Sequence, residues 1–270
     1  RVPESYTVTG EGYRWKNVGV MSNKGIELSA DADVIRTKDF TWNVSANVSY
    51  NQNRLKELYN GVTEYVNSTT GLKYVVGHSV SEFFLNRYAG VNPANGEQLW
   101  YDKNGNVTNE FRESDKVMTG KTYDAPWMGG FGTSFRWKGL QLSAQFSWIG
   151  TRYVINNDRY FEEGGVTFGT AYNQSRRVLY NRWKNPGDIT DIPKWGEVNQ
   201  LDDRYLENAS FLRLKNLSLS YSLPQAWLSK TKFFTLVRIY AQAQNLFTIT
   251  GFNGLDPEVS SNVYQAQYPA

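Results

Sequence analysis

The chain has 270 residues, no cysteine, one histidine and a formal net charge of +3. The absence of cysteine excludes disulfides, thiolate metal sites and a cysteine nucleophile, and so small a charge gives no indication of nucleic-acid binding. No run of about eighteen or more apolar residues occurs in the sequence, which excludes a transmembrane helix.

The first regular elements are two alternating segments, residues 24–34 and 40–53, separated by a polar turn at residues 36–39. Residues 40–50 would span roughly 33 Å as a strand, or about 25 Å when tilted by about 40°, which matches the apolar band of an outer-membrane barrel. We therefore predict that the apolar row of this strand faces lipid, with aromatic residues at head-group level at both ends. The row consists of Phe40, Trp42, Val44, Ala46, Val48 and Tyr50.

The alternate row of the same strand is polar and uncharged, which is typical of a lumen-facing surface. It consists of Thr41, Asn43, Ser45, Asn47 and Ser49. Pairing Val34 with Phe40 places Ala32 opposite Trp42 and matches apolar with apolar side chains along both strands. A shift of one residue would destroy that match.

A second hairpin covers residues 131–148, with Lys138 and Gly139 as a two-residue turn. Glycine at the second turn position predicts a type I′ turn, and Trp137 is expected opposite Leu140. We predict that six more residues face lipid: Phe131, Phe135, Trp137, Leu142, Phe146 and Trp148.

A third pair joins residues 211–221 to residues 237–246. The apolar positions change parity midway, which predicts a β-bulge near Lys215 and Asn216. The connector at residues 223–232 is predicted to form one helical turn. No further strand follows, and a sheet with open edges is not stable in lipid, so we expect the chain to be part of a larger barrel.

Residues 54–128 and 150–208 form long connections, whereas the turns on the other side are short. Outer-membrane barrels combine long extracellular loops with short periplasmic turns, so the pattern predicts an all-β, antiparallel transmembrane β-barrel segment. One additional hairpin is expected within residues 82–101, around residues 92–96, and a short helix within residues 170–183.

Aromatic residues in the two long loops are the candidate substrate-binding residues, because sugar rings stack on aromatic faces. They are Trp100, Tyr101, Tyr172, Trp183 and Trp195. The alternative is that these rings pack the loops together or contact a partner protein.

The sequence predicts no catalytic residue, no metal site and no cofactor. The acidic pairs Glu162–Glu163 and Asp202–Asp203 consist of adjacent residues, which rarely place two carboxylates across a substrate, so solvated loop charge is the favoured interpretation. His78 is the single histidine, which excludes a histidine-based triad or a site with several histidine ligands.

Several segments, in order, resemble the C-terminal barrel part of the SusC/RagA-type TonB-dependent outer-membrane transporters. They include NVGVMSNKGIELS (17–29), DFTWNVSANVSYNQNRL (39–55), YAGVNPANGEQLWYDKNG (88–105), GGFGTSFRWKGLQLSAQFSWIGT (129–151), RWKNPGDITDIPKW (182–195), LENASFLRLKNLSLSYSLP (206–224) and AQAQNLFTITGFNGLDPEV (241–259).

The resemblance implies that residues 1–270 are the C-terminal portion of a 22-stranded barrel whose plug and N-terminal strands lie outside this chain. It also implies a location in the outer membrane of a Gram-negative cell, with outer-membrane lipid around the barrel. The function implied is import of glycan or peptide fragments, energised by TonB–ExbB–ExbD through the N-terminal region, with a SusD-like surface lipoprotein as a lid.

Two other interpretations of the residues remain open at this stage. The first is a soluble β-rich protein that binds carbohydrate or degrades glycans, in which a second sheet would cover the apolar rows. The second is a structural subunit of a larger outer-membrane assembly without transport of its own.

Overall fold

The computed structural model of the chain describes residues 2–5, 13–16, 19–66, 72–164, 173–231 and 233–258. Six long strands form the main sheet, in which consecutive strands are antiparallel neighbours. They are β1 (Gly19–Arg36), β2 (Phe40–Leu58), β3 (Trp127–Trp137), β4 (Leu140–Gly150), β5 (Phe211–Ser222) and β6 (Arg238–Thr250). The shortest have 11 residues, and about 9–11 tilted residues suffice to cross a bilayer. The six predicted strands are confirmed.

The connections at one end of the sheet are short and those at the other end are long, as predicted. Residues 37–39 and 138–139 are turns, and residues 223–237 form a connection of 15 residues at the same end, whereas residues 59–126 and 151–210 form much longer connections at the opposite end. In the described ranges the helices are α1 (Asn157–Glu163), α2 (Arg176–Asn181), α3 (Gln225–Leu228) and the 3-10 turns Tyr59–Gly61, Glu113–Asp115 and Asp203–Tyr205. None of the helices in the described ranges has the length and apolar character to span a membrane.

The described residues also include short paired strands. They are Val2–Ser5 with Tyr13–Lys16, Glu64–Val66 with Lys73–Val75, Glu82–Leu85 with Val117–Thr122, Gln98–Tyr101 with both Arg87–Val91 and Val107–Thr108, and Tyr153–Ile155 with Leu206–Asn208. The hairpin expected within residues 82–101 is thus confirmed, but its strands have 5 and 4 residues, which is too short to cross a bilayer.

The registers place the apolar rows of the long strands on one face of the sheet. Trp42 lies opposite Phe135, and Phe135 lies opposite Leu142. Leu142 in turn lies opposite Leu219, and Leu219 lies opposite Ala241. All residues predicted to face lipid share this apolar face: Phe40, Trp42, Val44, Ala46, Val48, Tyr50, Phe131, Phe135, Trp137, Leu142, Phe146 and Trp148.

Within the described residues, no second layer covers the apolar face. Trp137 remains 55% exposed, Phe131 42%, Leu219 46% and Ile239 64%, and the buried hydrophobic clusters lie instead in the long connections and, with Phe252, in the segment after β6. A sandwich would bury these side chains under a second sheet. The second sheet that a soluble β-rich protein would need over the apolar rows is therefore not present among the described residues.

The register between β1 and β2 differs from the predicted one by two residues. Ala32 lies opposite Val44 rather than Trp42, and Ile35 takes the place opposite Trp42, because Val34 is the extra residue of a bulge. Side chains alternate with period two, so a shift of two residues leaves residues 24–33 on their predicted faces, whereas the bulge brings Ile35 onto the apolar face. The hydrophobic pattern therefore predicts which face of the sheet a side chain occupies, but not which residue of the neighbouring strand lies opposite it.

The register of the hairpin β3–β4 is confirmed, with Trp137 opposite Leu140, but the predicted type I′ turn is wrong. Positive φ falls on Lys138, at 53°, and Gly139 is not among the described residues with positive φ. Glycine is needed at position 139 because a larger residue would not fit: a Cβ there would lie 2.3 Å from the carbonyl oxygen of Ser222. The amide of Ser222 donates a hydrogen bond to the carbonyl oxygen of Gly139 at 2.9 Å. The approach of β5 was not readable from the local sequence.

The predicted bulge in β5 is confirmed. Between β4 and β5 the pairing steps from Gln145–Asn216 to Phe146–Leu214, which leaves Lys215 as the extra residue. The bulge changes the parity of β5, so that Leu214 and Leu217 both join the apolar face. The predicted helical turn after β5 is α3, and the predicted helix within residues 170–183 is α2.

Candidate functional site

The two long connections fold together over the end of the sheet, and we call their described residues, within 59–126 and 151–210, the loop cap. Phe83 and Leu85 from the first connection form one buried cluster with Ile155, Tyr205 and Leu206 from the second. Buried apolar contacts of this kind hold loops in a fixed arrangement, whereas isolated surface loops are mobile. The loop cap therefore presents its outer residues on a structured support.

A buried polar centre joins the same two connections. Asp202 is fully buried and accepts a hydrogen bond from the indole nitrogen of Trp100 at 2.8 Å. The guanidinium of Arg204 lies 3.2 Å from Asp202 and donates to Gln98 at 2.9 Å. Its carbon atom Cζ lies 4.1 Å from the ring centroid of Tyr88. Each buried charge thus has polar or aromatic partners, as the cost of burial requires.

Burial dominates the protonation of this centre. Desolvation raises the pKa of Asp202, and the charge of Arg204 opposes that shift. Desolvation also raises the pKa of Tyr205 to about 12 and moves that of Tyr88 in the same direction. Both phenols therefore stay neutral over the physiological range, and Tyr205 donates its hydroxyl proton to Asn199 at 2.7 Å.

The interpretation of the two acidic pairs as solvated charge is wrong for one member of each pair. Glu163 is buried and accepts from Arg159 at 3.0 Å and from Arg177 at 2.6 Å, and Asp202 occupies the buried centre. Arg159 also pairs with Glu207. Adjacent acidic residues on a loop look equally exposed in a sequence, because their partners come from other segments. Among the described residues, no group of His, Asp or Glu side chains could hold a metal ion.

The five loop aromatics predicted to bind substrate have different surroundings. Trp100 is 4% exposed and packs against Tyr88 and Phe111, so its ring serves the interior of the loop cap. Tyr101 is half-buried beside the guanidinium of Arg87. Tyr172 lies outside the described residues.

Trp183 and Trp195 lie on the outer part of the loop cap. Trp183 is half-buried, donates its indole N–H to the carbonyl of Pro93 at 3.0 Å and packs on the turn at Gly96. Trp195 is 62% exposed, and the guanidinium carbon of Arg182 lies 4.7 Å from its ring centroid. An exposed indole with an adjacent cation offers both a stacking surface and hydrogen-bond donors.

Exposed apolar side chains accompany Trp195 on the second connection. The hydroxyl of Thr190 donates to the carbonyl of Asn181, and the amide of Trp183 donates to the carbonyl of Ile192, so α2 and residues 182–195 form one structure. We call its exposed apolar residues, together with Val198 three residues beyond it, the outer patch: Leu179, Tyr180, Ile189, Trp195 and Val198. Their exposed fractions run from 58% to 94%, and exposed patches of large apolar residues are typical of interaction surfaces.

The polar face of the main sheet carries small side chains and a shallow groove. Asn43 donates to both Asp31 and Asp33 at 3.1 Å, which links β2 to β1. The groove, of about 520 Å³, runs past Gly130 and Gly132, which leave the backbone of β3 bare. Its polar residues are Ser29, Asp31, Ser45, Asn47, Gln145 and Lys215.

A salt-bridge cluster on the polar face was missed by the sequence analysis. Arg213 of β5 pairs with Asp256 and, at 2.7 Å, with Glu258, and Lys215 pairs with Glu258 at 2.7 Å. The cluster holds the segment after β6 against the sheet. An Asp and a Glu on a turn gave no signal for it, because their partners lie about 40 residues earlier in the chain.

The chain is similar to known receptor and transporter proteins. The chain is 31% identical to the TonB-dependent receptor SusC of Bacteroides thetaiotaomicron over 94% of its length, and 28% identical over 93% to the TonB-dependent receptor P3 of Formosa agariphila. It spans about a quarter (26%) of either relative. It is also similar to a chain in a structure of the RagAB peptide transporter, with a TM-score of 0.88 and 37% identity over 99% of this chain and 30% of that one. No protein-family model matches the chain.

Proposed function

Because this chain belongs to the SusC-type TonB-dependent receptors, outer-membrane β-barrel proteins of which it spans about a quarter, we propose that it builds one wall of an importer for glycan or peptide fragments. The observation that carries the proposal is the main sheet. Its six strands present one uncovered apolar face and one polar face. Such a sheet separates lipid from a water-filled lumen.

The placement within the whole protein is part of the proposal. Residues 1–270 form the C-terminal portion of a 22-stranded barrel, and further strands pair with the outer edges of β1 and β6. The reason is physical: an unpaired strand edge in hydrocarbon leaves backbone groups without hydrogen bonds, at a cost of several kcal/mol for each group. The plug and the contact with TonB–ExbB–ExbD then belong to the remainder of the protein.

The loop cap provides the extracellular contacts. We assign the outer patch to a SusD-like surface lipoprotein, since it is apolar, exposed and supported by a buried core. Of the five predicted aromatics, Trp195 and Trp183 are the best placed to contact cargo as it passes beneath such a lid, and the chain itself performs no chemistry on the cargo. Relatives named as receptors and as a peptide transporter support this assignment.

Uptake by cells that express the full protein tests the importer function. Cells with and without the gene are given labelled oligosaccharides and labelled peptides as separate panels. Loss of uptake for one panel on deletion, restored by the gene, supports import and identifies the cargo class. Equal uptake of both panels with and without the gene would refute the proposal.

Affinity purification of the full protein tests the lid. The double variant Tyr180→Ser, Ile189→Ser removes apolar side chains that are 67% and 94% exposed, so it should fold normally and lose its lipoprotein partner. The matched control is Val62→Ser, Val107→Ser, which removes exposed apolar side chains elsewhere on the first connection. If both variants retain the lipoprotein equally, the outer patch is not the docking surface.

A further inference from the structure

Strands β1 and β2 continue beyond the apolar face towards the loop cap, and their outward positions become cationic there. Ile26 lies opposite Tyr50, Lys24 opposite Gln52, and Ser22 opposite Arg54. Lys24 and Arg54 therefore lie on the same face as Tyr50, two and four residues further along their strands. At about 3.3 Å per residue and a tilt of about 40°, they sit roughly 5 Å and 10 Å above the last apolar row.

A cleft of about 910 Å³ opens at the same level, where β2 extends past the end of β3. Tyr50 and Trp127, whose ring centroids are 4.6 Å apart, are among its lining residues. Arg54 and Lys121 also line it. The Nζ atom of Lys121 lies 5.3 Å from the ring centroid of Tyr153, which is also a lining residue.

Lys24, Arg54 and Lys121 form no ion pair in the described ranges, and Arg54 has only the carbonyl of Gly77 at 3.5 Å. By contrast, Arg159 and Arg204 are both paired with carboxylates. Cations that have no anionic partner and lie beside apolar side chains are available to an external anionic ligand.

Two carboxylates also line the cleft and limit its positive charge. Glu82 is buried, and its two oxygens contact the amide of Gly120 and the ring of His78, both at 2.9 Å. Asp124 is exposed. Because Glu82 is buried, Asp124 is the one exposed acidic residue of the lining. The lining cations Arg54 and Lys121, with the neighbouring Lys24, therefore outnumber the exposed carboxylates.

We propose that Lys24, Arg54 and Lys121 bind the phosphate of a lipid head group in the outer leaflet, while Tyr50 and Trp127 contact the adjoining end of its acyl chains. A lipid is favoured over a free anion because Lys24 and Arg54 lie directly above a surface that faces acyl chains, and Lys121 lines the adjoining cleft. One amphiphile satisfies both parts of the site. This inference rests on the assignment of the apolar face to lipid in the proposed function.

Binding of lipid A to the full protein in detergent micelles tests the site, with bisphosphorylated and dephosphorylated lipid A as the probes. The test variant is Lys24→Gln, Arg54→Gln, Lys121→Gln, and the matched control is Arg36→Gln, Lys138→Gln, Lys230→Gln at the opposite end of the sheet. Each basic residue near an anionic lipid surface changes affinity by about fivefold, so the test variant should lose roughly a hundredfold for the bisphosphorylated probe. The control should change by less than about twofold.

Each outcome decides for or against the inference. Unchanged affinity of the test variant, or equal binding of the dephosphorylated probe, overturns it, and so does inorganic phosphate that competes at concentrations comparable to the lipid. Migration of the unboiled variant on an SDS gel verifies its fold, and the single variant Lys24→Gln, expected to lose about fivefold, replaces it if folding fails. Cargo uptake by the wild type is measured separately, so a failed importer proposal with intact lipid binding is distinguished from a failed lipid site.

Discussion

Replacing Val44 by arginine tests the assignment of the two faces of the sheet most directly. Val44 lies opposite Ala32 on β1 and Thr133 on β3, four residues from Phe40 and six from Tyr50. With the strand tilted by about 40°, these separations place it about 10 Å from one end of the apolar row and about 15 Å from the other. An arginine near the middle of the bilayer destabilises a barrel by about 2–4 kcal/mol.

Asn43→Arg is the matched control, because Asn43 neighbours Val44 but belongs to the polar face. Its side chain contacts Asp31 and Asp33, both at 3.1 Å, so an arginine would meet two carboxylates and water. We expect a change of less than about 1 kcal/mol, as for exposed ion pairs.

The assay is a denaturant titration of the full protein folded into lipid vesicles. The free energy of unfolding should fall for Val44→Arg and stay nearly constant for Asn43→Arg, with equal slopes in both titrations. Equal destabilisation by the two substitutions, or a larger effect at Asn43, would refute the assignment of the faces.

Three further predictions concern the loop cap and the short turn. Trp100→Phe removes the hydrogen bond to buried Asp202 and should destabilise the loop cap by about 1–3 kcal/mol, measured by hydrogen exchange. Burial raises the pKa of Tyr205 from about 10 to about 12. The corresponding contribution to the free energy of unfolding, up to roughly 3 kcal/mol, should be complete below about pH 10 and lost as the pH rises to about 12. Tyrosinate absorbance measures this transition. Gly139→Ala brings a Cβ against the carbonyl of Ser222 and should cost about 1–3 kcal/mol in the same denaturant titration.

Each of these predictions has its own control. Trp195→Phe changes an indole that is 62% exposed and should leave exchange in the loop cap unaltered. Tyr205→Phe should abolish the alkaline transition assigned to that phenol, and persistence of the full transition would contradict the assignment. Gly251→Ala places a Cβ in open space and should be neutral, so an equal cost at both glycines would argue against the contact with Ser222.

The aromatic residues of the loop cap fall into an interior group and an exterior group. Trp100 and Tyr205 are interior and hold the two connections together, Trp100 through its hydrogen bond to Asp202 and Tyr205 through the buried cluster with Phe83 and Leu85. Trp195 is exterior, with 62% of its surface exposed. A substitution inside should therefore change stability, and one outside should change binding.

The sequence by itself determined the strands of the main sheet and their two faces. Alternation with period two is a local property, and it was strong enough in residues 40–50 and 131–148 to predict the apolar face even where the register was wrong by two residues. The bulge at Lys215 was equally readable, since a change of parity within one strand has few other causes.

Only the tertiary structure decided the register of β1, the role of Gly139 and the contents of the loop cap. Each depends on contacts between segments that are distant in the chain, such as Trp100 with Asp202 and Gly139 with Ser222. Loop residues carry no periodic signal that would pair them, so the burial of Glu163 and Asp202 could not be foreseen from neighbouring residues. The alternation of apolar and polar side chains determines the strands, whereas packing between distant segments determines which loop residues are buried.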